Sequence, residues 1–93
     1  MNDFIYIIQR YFDPIMSNSN IILVGLVLEE EEAISIAEGI DNYYSPSVHR
    51  VPLNIFEGPD GTNLANRESE IYGYRKAADG GWRCGRILNG VAV

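Results

Sequence analysis

The residues best equipped for chemistry are one histidine, one cysteine, a run of four glutamates, and a C-terminal cluster of aromatic and cationic side chains. His49 and Cys84 lie far apart in sequence, and no second histidine or cysteine accompanies them. A nucleophilic site needs a base beside its nucleophile, and zinc takes three or four protein ligands. Neither set can be assembled. His49 therefore reads as a surface strand residue beside Arg50. Cys84 reads as a small hydrophobe packed in a strand, although Arg83 would lower its thiol pKa if the two met in space. The expectation is a protein that is not an enzyme and takes no metal or cofactor.

The sharpest constellation is Tyr72, Tyr74, Arg75, Trp82, Arg83 and Arg86. On paired strands, Tyr72, Tyr74 and Lys76 alternate onto one face with Arg75 opposite. Trp82, Cys84 and Arg86 likewise share a face opposite Arg83 and Ile87. Three readings are open. Tyr, Trp and Arg are enriched at protein hot spots, interleaved aromatics and arginines stack nucleotide bases, and the same aromatics can pack a sheet against a helix. The second candidate is Glu29, Glu30, Glu31 and Glu32. A calcium loop needs oxygen ligands at alternating positions about a central glycine, which four consecutive glutamates do not supply. They read as a solvated first turn of a helix or as an acidic patch docking on a basic partner. Gly58-Pro59-Asp60-Gly61-Thr62 lacks the lysine of a phosphate loop and reads as a turn.

Charge is polarised along the chain. The net charge of −6 resides in the first half, where eight acids face Arg10 alone before residue 50. From Ile71 onward only Asp79 opposes Arg75, Lys76, Arg83 and Arg86. An acidic total repels phosphate, so nucleic acid is an improbable partner, while separate acidic and cationic faces steer encounters with proteins. A length of 93 residues fits one domain, 1–93, and 46% hydrophobic content argues against disorder. The longest apolar run, Ile21 to Leu28, is far short of the ~20 residues that span a bilayer. No basic and apolar leader opens the sequence, and a lone cysteine suits a reducing compartment, so the expected location is the cytoplasm.

The positioning elements follow from periodicity. Asp3–Phe12 reads as a central strand, and Ile21–Leu28 as a second strand buried on both faces, with Gly25 marking a bulge or close approach. Between them, Asp13-Pro14 and Ser17-Asn18-Ser19-Asn20 supply a polar loop with Ile15-Met16 at its tip. Ala33, Ile36, Ala37, Ile40, Tyr43 and Tyr44 recur at helical spacing and predict a helix over 30–43, with the glutamates in its first turn. Val48–Glu57 reads as an edge strand because Pro52 cannot donate to a ladder. Pairing of such an open edge could make a homodimer, although Pro52 works against it. Thr62–Glu70 stays open between a short helix and a loop. Ile71–Lys76 and Trp82–Leu88 form a hairpin closed by Ala77-Ala78-Asp79-Gly80-Gly81, and Asn89-Gly90 leaves Val91–Val93 for a terminal strand.

The run FIYIIQRYF, a polar turn, IILVGLVL and EEEEAISIAEGI resembles small bacterial and phage proteins of unknown function with a ββαβ start. The small size, acidity and expected mixed sheet are also similar in style to phage-borne inhibitors of host defence, anti-CRISPR proteins among them. The first resemblance implies a ββαβ arrangement and the second inhibition or modulation of a larger complex; neither assigns a site residue. The expected fold is α+β, an antiparallel sheet of four or five strands with one main helix on one face. The expected function is non-enzymatic protein binding. A small-ligand or nucleotide binder using the C-terminal hairpin is the alternative.

Overall fold

The computed structural model describes residues 4–13, 20–53 and 69–93. Within them the chain runs β1 (Phe4–Tyr11), β2 (Ile21–Val27), α1 (Glu30–Glu38), a 3₁₀ turn (Asn42–Tyr44), β3 (Ser47–Pro52), β4 (Glu70–Lys76), β5 (Trp82–Leu88) and β6 (Val91–Ala92). The strands pair antiparallel in the order β2-β1-β3-β4-β5-β6. The fold is α+β with one helix on an antiparallel sheet, but the sheet has six strands where four or five were expected. The sixth is a two-residue strand returned by Asn89-Gly90, whose φ values of 53° and 82° make the tight positive-φ turn that this pair favours. No helix among the described residues is long and apolar enough to cross a membrane.

β1 is central, as its two apolar faces predict. Tyr6 and Ile8 face α1 and join Val48 of β3, Tyr72 of β4, and Ala33, Ile34 and Ala37 of the helix in one buried cluster. β3 corrects the sequence reading. It lies inside the sheet between β1 and β4, with Val48 fully buried. Pro52 does not demote it because it is the strand's last residue, paired with Phe4 at the end of the register. His49 is corrected too. It is 5% exposed, in the strand interior, and its ring joins Ser47 Oγ at 3.2 Å and Ser69 Oγ at 3.1 Å. The expected continuation to Glu57, the Gly58–Gly61 turn, the Thr62–Glu68 segment and the Ile15-Met16 tip lie outside the described residues.

β2 departs furthest from expectation. It is an edge strand, and Ile21, Leu23, Val24 and Leu26 are exposed rather than buried. The register slips between Ile8 and Gln9, so Val24 has no partner on β1. A side-chain Cβ at Gly25 would meet nothing nearer than Ile8 Cδ1 at 4.0 Å, so Gly25 marks a bulge and not a close approach. The bulge resets the two-residue alternation. Ile22, Gly25 and Val27 turn toward the helix side, and Ile21, Leu23 and Leu26 turn away from it.

The helix is shorter than its apolar spacing suggests. It ends at Glu38, and Gly39 stands at its C-terminus, where a glycine in the interior would have cost ~1 kcal/mol. Asp41 Oδ1 then accepts the Tyr43 N–H at 2.9 Å and starts a separate turn. Tyr43 and Tyr44 therefore leave the helical stripe. Tyr43 donates its hydroxyl to Asp13, and the Arg10 guanidinium lies 4.7 Å over the Tyr44 ring. The stripe itself is rotated: Ala33, Ile34 and Ala37 are buried and Ile40 partly so, whereas Ile36 is 37% exposed. Replacing Ile34 by Ala should lower stability by ~2–5 kcal/mol, and Ile36→Ala by only about 0.5 kcal/mol. Urea denaturation of the two variants checks this, and equal losses would show that the helix is phased otherwise.

Candidate functional site

The β4–β5 hairpin sets the geometry. Tyr72 pairs with Arg86, Tyr74 with Cys84 and Lys76 with Trp82, so all six side chains share the face that carries α1. The helix reaches Tyr72 and, through its first-turn glutamates, Arg86, but not the aromatics nearer the hairpin turn. Tyr72 is 5% exposed beneath it, whereas Tyr74 and Trp82, nearer the hairpin turn, are 51% and 56% exposed. As diagonal neighbours across the ladder, their rings stack with centroids 5.6 Å apart at 30°. Cys84 lies half-buried between these zones, and burial pushes its thiol pKa up. Arg83 does not depress the thiol, because it lies on the opposite face. Burial, with smaller contributions from Cys84 and Glu38, also raises the Tyr72 hydroxyl.

On the far face Arg75 stands directly opposite Arg83, a like-charge pairing that destabilises a sheet unless each charge is matched. Both are matched. Arg75 is 7% exposed and donates from Nε to Glu70 Oε1 at 3.0 Å. Gly73 makes room for that pair, since a Cβ there would fall 2.6 Å from Glu70 Oε1. Arg83 Nη1 reaches Asp79 Oδ2 at 3.2 Å across the turn. The Gly81 N–H and then Arg83 hold the Asp79 carboxyl below the usual carboxylate range.

Arg86 links the two regions that the sequence singled out separately. Its guanidinium pairs with Glu31 at 2.6 Å and Glu30 at 3.6 Å, joining the hairpin to the first turn of the helix. Glu29 is the helix N-cap residue rather than part of that turn, and Glu32 is exposed in it. The structure thus brings Tyr74, Trp82, Arg86, Glu30 and Glu31 onto one side, leaves Arg83 on the other, and places Tyr72 and Arg75 in the interior. Sequence reasoning missed the Arg86–Glu31 contact, which joins residues 55 apart with no local signal. It also missed Glu70–Arg75. The Asp79–Arg83 contact had a cue in the Asp-Gly-Gly turn.

A cavity of about 260 Å³ opens between α1 and the hairpin, lined by Ile34, Glu38, Tyr72, Cys84 and Arg86 with the Val93 end of the chain. Among the described residues no three metal-binding side chains gather at one place. No protein-family model, no curated protein and no solved structure matches this chain.

Two outcomes follow from the titrating groups. Because the folded Asp79 carboxyl lies below its unfolded value of about 3.9, its stabilising contribution is complete above that value. It disappears as pH falls through the lower folded value. Asp79→Asn should therefore melt below the parent at neutral pH, with the difference closing in acid; a gap that widens in acid would reverse the assignment. Cys84 should react with iodoacetamide more slowly than a free thiol at neutral pH and accelerate as pH rises, read by mass spectrometry.

Proposed function

We propose that this chain is a protein-binding module without catalytic activity, and that its contact face is the exposed Tyr74–Trp82 pair with Arg86 on the same face. The observation that carries this reading is the pair itself: two large aromatics more than half exposed and stacked on each other, beyond the reach of the helix. Aromatics held rigid by a neighbour lose little entropy on contact, and with arginine they make up the usual centre of a protein interface. The arginines favour a protein over a nucleic acid. Arg75, Arg83 and Arg86 are each matched to a carboxylate, which reduces their attraction for phosphate, and the chain carries −6 overall.

One observation favours a small-ligand reading, the cavity beside Cys84 and Arg86. At about 260 Å³ it is smaller than the ~300–1,000 Å³ of typical ligand pockets, so protein contact is the stronger reading. The biological role that fits is inhibition or modulation of a larger cytoplasmic complex, in the manner of the phage-borne inhibitors that the sequence resembles in style. Exposed Glu32 and the partly paired Glu31 would then extend the contact toward a basic patch on the partner.

Affinity capture from a host lysate should retain a stoichiometric protein partner. Tyr74→Ala and Trp82→Ala should each weaken that complex by ~2 kcal/mol or more, roughly thirtyfold in Kd, with the melting temperature little changed. A small molecule co-purifying with the protein and lost in the same variants would support the alternative instead. Unfolding of Trp82→Ala would mean that the ring belongs to the core.

A further inference from the structure

The far side of β2 carries a surface that the hairpin reading does not use. The bulge at Val24 places Ile21, Leu23 and Leu26 on the face away from α1, beside Ile5 and Ile7 of β1. Burial on this face falls steadily outward. Val51 and His49 of β3 are 2% and 5% exposed, Ile5 and Ile7 are half-buried, and Leu26, Leu23 and Ile21 are 53%, 56% and 57% exposed. Leu28, just beyond the strand, is also half exposed. Isolated exposed aliphatics are common on protein surfaces, but a contiguous stripe of them is not.

We propose that this stripe is the interface of a homodimer, in which the β2 faces of two copies pack against each other about a two-fold axis. Three observations select a second copy as the occupant. The first is composition. Among the described residues of β1 and β2 on this face, none is charged, and Tyr11 at the end of β1 is the one aromatic beside aliphatic Ile5, Ile7, Ile21, Leu23 and Leu26. Interfaces between non-identical, separable partners rely on Trp, Tyr and Arg and under-use Leu and Val, whereas homodimer interfaces are the more apolar class. The hairpin has the first composition and the β2 stripe the second.

The second observation is area. Ile21, Leu23, Leu26 and Leu28 at their observed exposures present roughly 400 Å² together, on the scale of the largest patch of a monomer. That is about half of the ~800 Å² that each partner contributes to a standard interface, and half-buried Ile5 and Ile7 extend it.

The third is charge. The acids that dominate the first half of the chain, Glu30, Glu31 and Glu32, sit on a helix across the opposite face of the sheet. Two copies joined through the far faces keep these like charges apart, with both sheets between them. An acidic chain can therefore self-associate here without local repulsion. The bulge also bears on how the copies meet. Bulges blunt an edge strand against edge-to-edge pairing, which leaves face packing as the use of this surface. The open edge that the sequence offered to a homodimer at Val48–Glu57 is not open, since β3 is internal, whereas β2 stands at the edge.

Sedimentation velocity across the micromolar range tests the proposal. The parent chain should approach twice the mass of one chain. Leu23→Lys and Leu26→Lys should sediment as monomers with an unchanged circular dichroism spectrum. Leu26→Thr, which keeps strand propensity and folds more readily should a lysine variant fail, should raise the dimer Kd at least tenfold. Tyr74→Ala should leave the dimer intact, which separates this surface from the hairpin. A parent chain that stays monomeric at every concentration, or a dimer that survives both Leu23→Lys and Leu26→Thr, overturns the proposal. So does a monomer that instead uses the stripe to bind lipid vesicles.

Discussion

One short helix covers a wide sheet, and the rest of the molecule follows from that mismatch. A helix is about 10 Å across with its side chains, while six strands at about 4.8 Å spacing span roughly 24 Å. α1 lies toward the β2 end, against β1, β2 and β3, and the buried cluster draws on β1, β3 and β4 through Tyr6, Ile8, Val48 and Tyr72. On that face the outer part of the β4–β5 hairpin is left uncovered. The exposed stripe of β2 lies on the other face of the sheet, which a helix on the first face cannot cover at any width. The two exposed apolar surfaces are therefore consequences of architecture, and their chemistry differs because their sequences differ. On β2 the residues are aliphatic and uncharged; on the hairpin they are aromatic and interleaved with arginine.

Local chemistry was legible in the sequence wherever a turn or a short period decided the outcome. The hairpin, its Asp-Gly-Gly turn, the Asn89-Gly90 reversal and the central position of β1 all follow from signals a few residues long. What failed was what depends on neighbours distant in sequence. The eight-residue apolar run of β2 reads as doubly buried because apolar composition does not say whether an element lies over it. Pro52 reads as an edge marker because its position relative to the strand end depends on where Phe4 pairs. Helix phase failed for a subtler reason. Ile36 and Ile34 flank the same Ala33–Ala37 axis on opposite sides, and only the location of Tyr6 and Tyr72 decides which one is covered.

Electrostatics illustrates the same limit. Summed along the sequence, the C-terminal third is cationic and the helix start acidic, which suggests two opposed fields. In the fold the fields partly cancel, because Arg86 meets Glu30 and Glu31 and the other hairpin arginines each meet a carboxylate nearby. The exposed pairs among them, Arg83–Asp79 and Arg86 with Glu30 and Glu31, contribute little to stability. Their effect is on recognition. Arg86, matched by Glu31, presents a planar, weakly hydrated surface on the face of Tyr74 and Trp82 without a strong net charge, which suits a protein contact better than a phosphate backbone.

The positions of the two surfaces carry a further consequence for how the protein would act. They lie at opposite ends of the sheet and on opposite faces, so occupation of one does not obstruct the other. A dimer joined through β2 would hold its two hairpins outward on separate sides of the assembly. Each copy of Tyr74–Trp82 would then be free to engage a site on a repetitive or symmetric partner. Once one hairpin had bound, the second would search at the effective concentration set by the rigid span between them. Modest contacts at each hairpin would combine into tight binding only where the partner's sites match that span. Specificity of that kind comes from geometry, and it is open to a chain too small to bury a large interface by itself.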